Sequence, residues 1–145
     1  MLRSFFIYLS KATWARQIVT GWSVAWSMAS RFVAGDTLAE AVKVIKAVNQ
    51  KGINASLDHL GEHTTNAEES FKAVQDIQMA LDTIVESGMC ANVSIKLTQI
   101  GLSLDAALCA ENLRKILTYA RSKENFIRID MEDATATQKT LDLVH

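Results

Sequence analysis

The stretch Asn92-Val93-Ser94-Ile95-Lys96-Leu97 alternates strictly between polar and apolar side chains, and this alternation decides the fold. Successive side chains of a β-strand point to opposite faces, so its polar residues share one face and its apolar residues share the other. A strand buried between two layers of helices would be apolar on both faces. The stretch therefore predicts a strand with helices on its apolar side and a hydrophilic space on the other side.

Two further stretches repeat this alternation, and both end in a charge on the polar face. They are Ile53-Asn54-Ala55-Ser56-Leu57-Asp58 and Phe126-Ile127-Arg128-Ile129-Asp130-Met131. Together with the first stretch they predict strands near residues 52–58, 91–97 and 125–131. Asp58, Lys96 and Asp130 then lie at or near the strand ends.

Segments with helical periodicity separate the predicted strands. One helix is predicted over residues 37–50, and a second begins at Asn66 and ends at Gly88. A third helix is predicted to open at Ser103 and a fourth near Thr137. Strands that alternate with helices in repeats of roughly 35 residues are typical of βαβ units, in which the strands run parallel.

Parallel strands with one hydrophilic face favour a barrel over a doubly wound sheet, because a barrel turns that face inward and places its active site at the carboxyl ends of the strands. The predicted fold is α/β: an N-terminal helical arm over residues 1–50, then the first three βα units of a (β/α)8 barrel over residues 51–145. A closed barrel needs about 200 residues or more, so the chain is expected to be truncated. A small three-stranded α/β domain that dimerises is the alternative.

Composition excludes several classes of function. The net charge is −1 and charges of both signs are interspersed, so no basic surface for nucleic acid is predicted. Cys90 and Cys109 are too few for a disulfide framework and are interpreted as buried, reduced thiols, which indicates an intracellular setting. Residues 1–30 are interpreted as two helices with an apolar face for another subunit or a membrane surface.

The loop after the first strand contains a competing motif, His59-Leu60-Gly61-Glu62-His63, which matches the H-x-x-E-H pattern of some zinc peptidases. That chemistry requires a helix to bring both histidines to one metal, whereas this segment follows a strand and contains glycine. A zinc-dependent hydrolase using His59 and His63 is therefore kept only as an alternative. A non-catalytic α/β module for oligomerisation or membrane-surface binding is a second alternative.

Four segments together resemble the monofunctional bacterial proline dehydrogenase family in residues, order and spacing. They are Arg31-Phe32-Val33-Ala34-Gly35-Asp36-Thr37-Leu38, Leu57-Asp58-His59-Leu60-Gly61-Glu62, Asn92-Val93-Ser94-Ile95-Lys96-Leu97-Thr98-Gln99 and Phe126-Ile127-Arg128-Ile129-Asp130-Met131-Glu132. The resemblance implies a barrel that holds FAD and oxidises L-proline to Δ1-pyrroline-5-carboxylate. It also implies that electrons pass to a quinone at the membrane, and hence a cytoplasmic protein, with peripheral attachment to the inner face of the membrane as an option.

The resemblance carries site residues over to this chain. Lys96 corresponds to the lysine that contacts the substrate carboxylate, Asp130 to an active-site aspartate, and Met131 to a residue that lies against FAD. Glu62 corresponds to a glutamate that pairs with an arginine of the last helix and closes the site. Family residues that come later have no counterpart here, so the isolated chain is expected to be inactive and to bind no FAD.

Elementary chemistry agrees with these residue types. Proline is a zwitterion whose carboxylate requires a cation, and a lysine ammonium can only donate hydrogen bonds. A lysine in a partly dry barrel mouth requires a counter-charge, and Asp130 on the neighbouring strand is the predicted partner of Lys96.

Overall fold

The computed structural model describes residues 34–35, 37–58 and 64–144. The two helices predicted within residues 1–30 lie outside the described residues, as do His59, Glu62 and His63. Residues 42–145 form one compact unit, which contains the sheet. The predicted boundary between a helical arm and a barrel at residue 50 stays a prediction.

Helices and strands alternate along the described chain, and three strands form one sheet in the order β1-β2-β3. The elements are α1 (Leu38–Asn49), β1 (Ala55–Asp58), α2 (Ala67–Ser87), β2 (Ala91–Ile95), a 3₁₀ turn (Leu97–Ile100), α3 (Ala106–Ser122), β3 (Ile127–Ile129) and α4 (Ala134–Val144). Both strand pairings are parallel. The prediction of an α/β fold with parallel strands joined by helices is therefore confirmed.

The strands are shorter than the alternation predicted. β2 ends at Ile95 because the chain enters the 3₁₀ turn at Leu97. β3 covers only Ile127–Ile129, although the backbone N–H of Asp130 still donates to the Ile95 carbonyl at 2.9 Å. Lys96 and Asp130 consequently lie just beyond the strand ends.

The predicted limits of the second helix are confirmed by its caps. The Asn66 side chain accepts a hydrogen bond from the Glu69 backbone N–H at 2.9 Å, which satisfies a donor that the first turn leaves free. The Glu69 carboxylate accepts from the Thr65 backbone N–H at 2.7 Å, and this bond lowers the pKa of Glu69. Gly88 ends the helix with φ of +64°, a left-handed conformation suited to glycine.

The predicted starts of the third and fourth helices are wrong by a few residues. The third helix is capped by Asp105 rather than Ser103: the Asp105 carboxylate accepts from the Leu108 backbone N–H at 2.8 Å. The fourth begins at Ala134 rather than near Thr137, with the Asp133 carboxylate accepting from the Thr135 N–H at 2.8 Å. In both cases an aspartate close to the predicted start supplies the cap, and such carboxylates are also favoured by the helix dipole.

The hydrophobic core lies on the apolar face of the sheet, beneath α2 and α3. Val93 and Ile95 of the central strand are both fully buried in it, whereas Leu57 and Ile129 on the outer strands are partly buried. Val93 and Ile95 of β2 thus belong to the core as predicted, while Asn92 and Ser94 on the other face are also buried. The buried members from α2, α3 and the 3₁₀ turn include Val74, Ile77, Leu81, Ile84, Leu97, Ile100, Leu113 and Ile116.

Two asparagines join the loops that precede the strands. The Asn49 side chain donates to the carbonyls of Ile53 at 2.9 Å and Cys90 at 3.0 Å, and it accepts from the Cys90 N–H at 2.8 Å. The Asn125 side chain donates to the Ala91 carbonyl at 3.0 Å. These bonds satisfy backbone groups near the amino-terminal ends of the strands and so join the three strands at that end.

The two cysteines differ in environment. Cys109 is buried as predicted, and burial, followed by the nearby Glu132 charge, raises the pKa of its thiol to about 11. Cys90 is exposed, so the prediction that it is buried is wrong. Cys90 lies in the loop directly before β2, at the amino-terminal end of that strand.

The turn that follows Lys96 depends on Gly101, whose φ is +107°. We expect Gly101→Ala to lower the free energy of unfolding by about 2 kcal/mol, because a side chain is strained at this φ and its Cβ would lie 3.3 Å from Leu108 Cδ2. Gly88→Ala is the control: its φ is +64° with open space around it, and we expect a loss of about 1 kcal/mol. Urea unfolding followed by circular dichroism measures both values; equal losses would contradict the prediction.

Candidate functional site

Polar side chains of all three strands meet on one face of the sheet. In the strand register Ser94 lies opposite Asp58 on one side and opposite Arg128 on the other. Lys96 and Asp130 each follow two residues later, so the alternation returns them to that same face. The prediction that Ser94, Lys96, Arg128 and Asp130 share a face is confirmed.

Lys96 forms an ion pair with Asp58, the last residue of β1. The Lys96 Nζ lies 3.1 Å from the Asp58 Oδ2, and the two side chains are 34% and 36% exposed. Lys96 is therefore not buried beneath a helix. Its side chain remains about one-third exposed.

The predicted pairing of Lys96 with Asp130 is wrong. The Asp130 Oδ1 instead accepts from the Arg128 Nε at 3.0 Å, within its own strand segment. Because β2 is the central strand, Lys96 has a neighbouring strand on each side: Asp58 is the last residue of β1, and Asp130 directly follows β3. The sequence alone did not distinguish the two aspartates.

Ser94 is buried at the centre of this face, with 1% of its surface exposed. Its hydroxyl oxygen has no hydrogen-bond partner among the residues that the structure describes. Asn92, two residues earlier on the same face, is also buried. Because buried hydroxyls are nearly always hydrogen bonded, Ser94 marks a polar position that a bound molecule or water can satisfy.

A second contact, which the sequence interpretation missed, joins the loops after β2 and β3. The Glu132 carboxylate accepts from the backbone N–H of Thr98 at 3.0 Å and from the Thr98 hydroxyl. The Thr98 carbonyl accepts from the Thr64 hydroxyl at 3.0 Å, so the segment before α2 joins the same network. A signal was present: Thr98 and Glu132 each follow a charged site residue by two positions.

A small cavity adjoins this contact, with a volume of about 90 Å³. Pockets that hold small organic ligands usually measure about 300 Å³ or more, so this cavity is too small for a cofactor. Its lining residues are Thr98, Leu102, Ser103, Glu132, Asp133, Thr135, Ala136 and Lys139.

The remaining predicted site residues have different outcomes. Met131 follows Asp130 directly, and the residue is 55% exposed. Glu62, His59 and His63 lie outside the described residues, so the gate and zinc predictions stay untested by the geometry. Across residues 37–58 and 64–144, no group of three or more potential metal ligands occurs, and no helix combines the length and hydrophobicity needed to cross a bilayer.

Comparisons with known proteins agree on one family. Residues 41–145 match the profile of the family described as proline dehydrogenase. The chain is similar to proline dehydrogenase 1 of Bacillus subtilis, with 36% identity over an alignment covering 99% of this chain and 47% of that protein. It is also similar to the proline dehydrogenase of Deinococcus radiodurans, with 32% identity over 81% of this chain and 39% of that protein. The chain thus spans about half the length, or less, of these relatives.

One solved structure shows the same fold at low sequence identity. It is the crystal structure of proline utilization A from Bdellovibrio bacteriovorus inactivated by N-propargylglycine. The TM-score is 0.75 with 19% identity, over 83% of this chain and 15% of that protein. At this identity the likeness shows the fold alone.

Proposed function

This chain belongs to the proline dehydrogenase family, and from that premise we propose that the protein oxidises L-proline to Δ1-pyrroline-5-carboxylate. The observation that carries the proposal is the accessible Lys96 ammonium on the polar face of a parallel sheet, beyond the carboxyl end of its strand. Neither a zinc hydrolase nor a non-catalytic module gains support from the similar proteins, which are proline dehydrogenases and bifunctional PutA proteins.

The three βα units are proposed to be the first units of a (β/α)8 barrel. Among the described residues, β1 and β3 each pair with β2 alone, which leaves the outer edge of both strands for further strands. Closing a barrel pairs the free strand edges and encloses the polar face. The polar face then becomes the lumen, and Asp58, Lys96 and Asp130 lie around its mouth.

Lys96 is proposed to bind the carboxylate of L-proline. A lysine ammonium has three N–H donors, and the contact with Asp58 uses one of them. The other donors remain for the substrate. Asp130, oriented by Arg128 at 3.0 Å, is proposed as the second active-site residue, on the opposite side of Lys96 from Asp58.

The residues present fit a flavin. Met131, which follows Asp130, is more than half exposed, and a polarizable thioether packs favourably on an aromatic ring. Ser94 provides a buried hydroxyl on the polar face of the sheet without a partner among the described residues. When bound, FAD supplies the two-electron acceptor for the substrate. The chain's own task is to hold the substrate carboxylate at Lys96 and to present Met131 as one wall of the site.

Three further proposals rest on the family resemblance. Glu62 is proposed to close the site by pairing with an arginine of a later helix. Electrons are proposed to pass to a quinone at the membrane, which places the protein in the cytoplasm or at the inner face of the membrane. Residues 1–50 are proposed as a helical arm for homo-oligomerisation.

Expression from the full reading frame tests the proposed function. We expect a yellow protein with about one FAD per chain and a reduction of an artificial electron acceptor that depends on L-proline. Residues 1–145 alone are expected to bind no FAD, because the three strands do not enclose the lumen. A colourless, proline-inert full-length protein would contradict the function, and stoichiometric flavin on residues 1–145 would contradict the shared lumen.

A further inference from the structure

We propose that Asp58 is a positioning residue for substrate binding: its carboxylate holds the Lys96 ammonium so that the substrate carboxylate meets an oriented cation. The inference rests on the proposed function and extends it to Asp58, a residue to which the family resemblance assigned no role. The contact that carries it is the 3.1 Å ion pair between Lys96 Nζ and Asp58 Oδ2.

The geometry of the sheet makes Asp58 a fixed support. Asp58 is the last residue of β1, and its backbone lies in register with Ser94 of β2. Lys96 lies two residues past Ser94, so its side chain has to lean towards β1 for the two groups to meet. On the other side of Lys96, the carboxylate of Asp130 is engaged by Arg128. Within the described residues, Asp58 is therefore the acid that forms an ion pair with Lys96.

Positioning matters because a lysine side chain is long and flexible. Holding it in one geometry costs rotamer entropy, and without Asp58 the substrate would have to supply this ordering. Asp58 acts before the substrate arrives. One ammonium N–H donates to Asp58, and the remaining donors are proposed to serve the substrate carboxylate.

The pair contributes little to the stability of the fold. Both side chains are about a third exposed, and ion pairs this accessible to water add little to the free energy of unfolding. A change at Asp58 should therefore affect substrate binding far more than unfolding. This difference separates a positioning role from a structural one.

The test uses the protein expressed from its full reading frame, carrying Asp58→Ala, Asp58→Asn or Lys96→Met, and the double variant Asp58→Ala with Lys96→Met. We expect Asp58→Ala to raise the KM for L-proline about tenfold with a smaller change in kcat, and Asp58→Asn, which keeps an acceptor oxygen, to recover part of the loss. For Asp58→Ala, calorimetry should show a matching rise in the Kd for cyclopentanecarboxylate, which carries the carboxylate. The Kd for cyclopentanecarboxamide, which lacks the charge, should not change. In the Lys96→Met background, Asp58→Ala should have no further effect.

The matched control is Asp82→Ala. Asp82 also pairs with a lysine, Lys123, and is equally exposed, but Asp82 lies on the outer helix α2 and Lys123 directly follows α3. The KM of the Asp82→Ala variant for L-proline should equal that of the unaltered protein.

Each other outcome overturns the inference in a distinct way. A lower KM in Asp58→Ala would show that Asp58 competes with the substrate for Lys96. If Asp58→Ala raised the KM by the same factor in the unaltered protein and in the Lys96→Met variant, the role of Asp58 would be structural. If the unaltered protein neither oxidises L-proline nor binds cyclopentanecarboxylate, the proposed function fails and the inference fails with it.

Discussion

Lys96→Met is expected to lower kcat/KM for L-proline about 100-fold, a loss of about 2.7 kcal/mol that appears mainly as a higher KM. Methionine keeps most of the length of the side chain and removes its charge, so the substrate carboxylate loses its cation. Lys96 is about a third exposed, which places the effect towards the lower end of the range for charged pairs. Steady-state kinetics with L-proline and an artificial acceptor measures the change.

Two controls isolate the carboxylate contact at Lys96. L-prolinamide lacks the substrate charge, so its kcat/KM should be similar with and without Lys96→Met. Lys115→Met removes another ion-paired lysine, 2.7 Å from Glu111 on the outer helix α3, and should leave the kinetics unchanged. Equal losses for L-proline and L-prolinamide would show that Lys96 supports the site only structurally.

The polar face of the sheet was predictable from sequence because it depends on alternation alone. Strand side chains alternate whatever their neighbours are, so the stretch containing Ser94 and Lys96 fixes which residues share a side. Pairing across strands is different, since it depends on register and on the direction in which a side chain leans. Lys96 has an aspartate on each neighbouring strand, and the structure selects Asp58 over Asp130.

The start of a helix is also not determined by residue type alone. Ser103 and Asp105 both qualify as caps by residue type, and the choice depends on the backbone after Gly101. That backbone turns with positive φ, and the N–H groups of Leu104 and Asp105 donate to the Gly101 carbonyl. Because of this turn the helix begins only after Asp105, and the turn was not recognised in the sequence.

The contact of Thr98 with Glu132 could not be predicted from residue types. Each residue taken alone is a common surface residue, whereas in the structure Thr98 is buried, with 3% of its surface exposed, and Glu132 is half-buried. The contact arises because the loops after adjacent parallel strands leave the same edge of the sheet. It joins the segment that follows Lys96 to the segment that follows Asp130.

Because Thr98 is buried, Glu132→Ala is expected to lower the free energy of unfolding by about 3 kcal/mol. The change leaves the backbone N–H and the hydroxyl of Thr98 without their acceptor. In the Glu132→Ala background, Thr98→Val should cost less than it does alone, since its partner is already gone, with a coupling energy of about 1–2 kcal/mol. Urea unfolding of the four proteins of this cycle gives the coupling directly.

Glu111→Ala is the matched control for this cycle. Glu111 also accepts from a partner at short distance, the Lys115 ammonium, but on the exposed surface of α3, so its removal should leave the free energy of unfolding almost unchanged. If Glu132→Ala costs no more than Glu111→Ala, water replaces the carboxylate at Thr98 and the two loops are not held by this contact. If it costs the expected amount, the KM for L-proline should rise as well, because Thr98 and Glu132 each lie two residues beyond a proposed substrate-site residue.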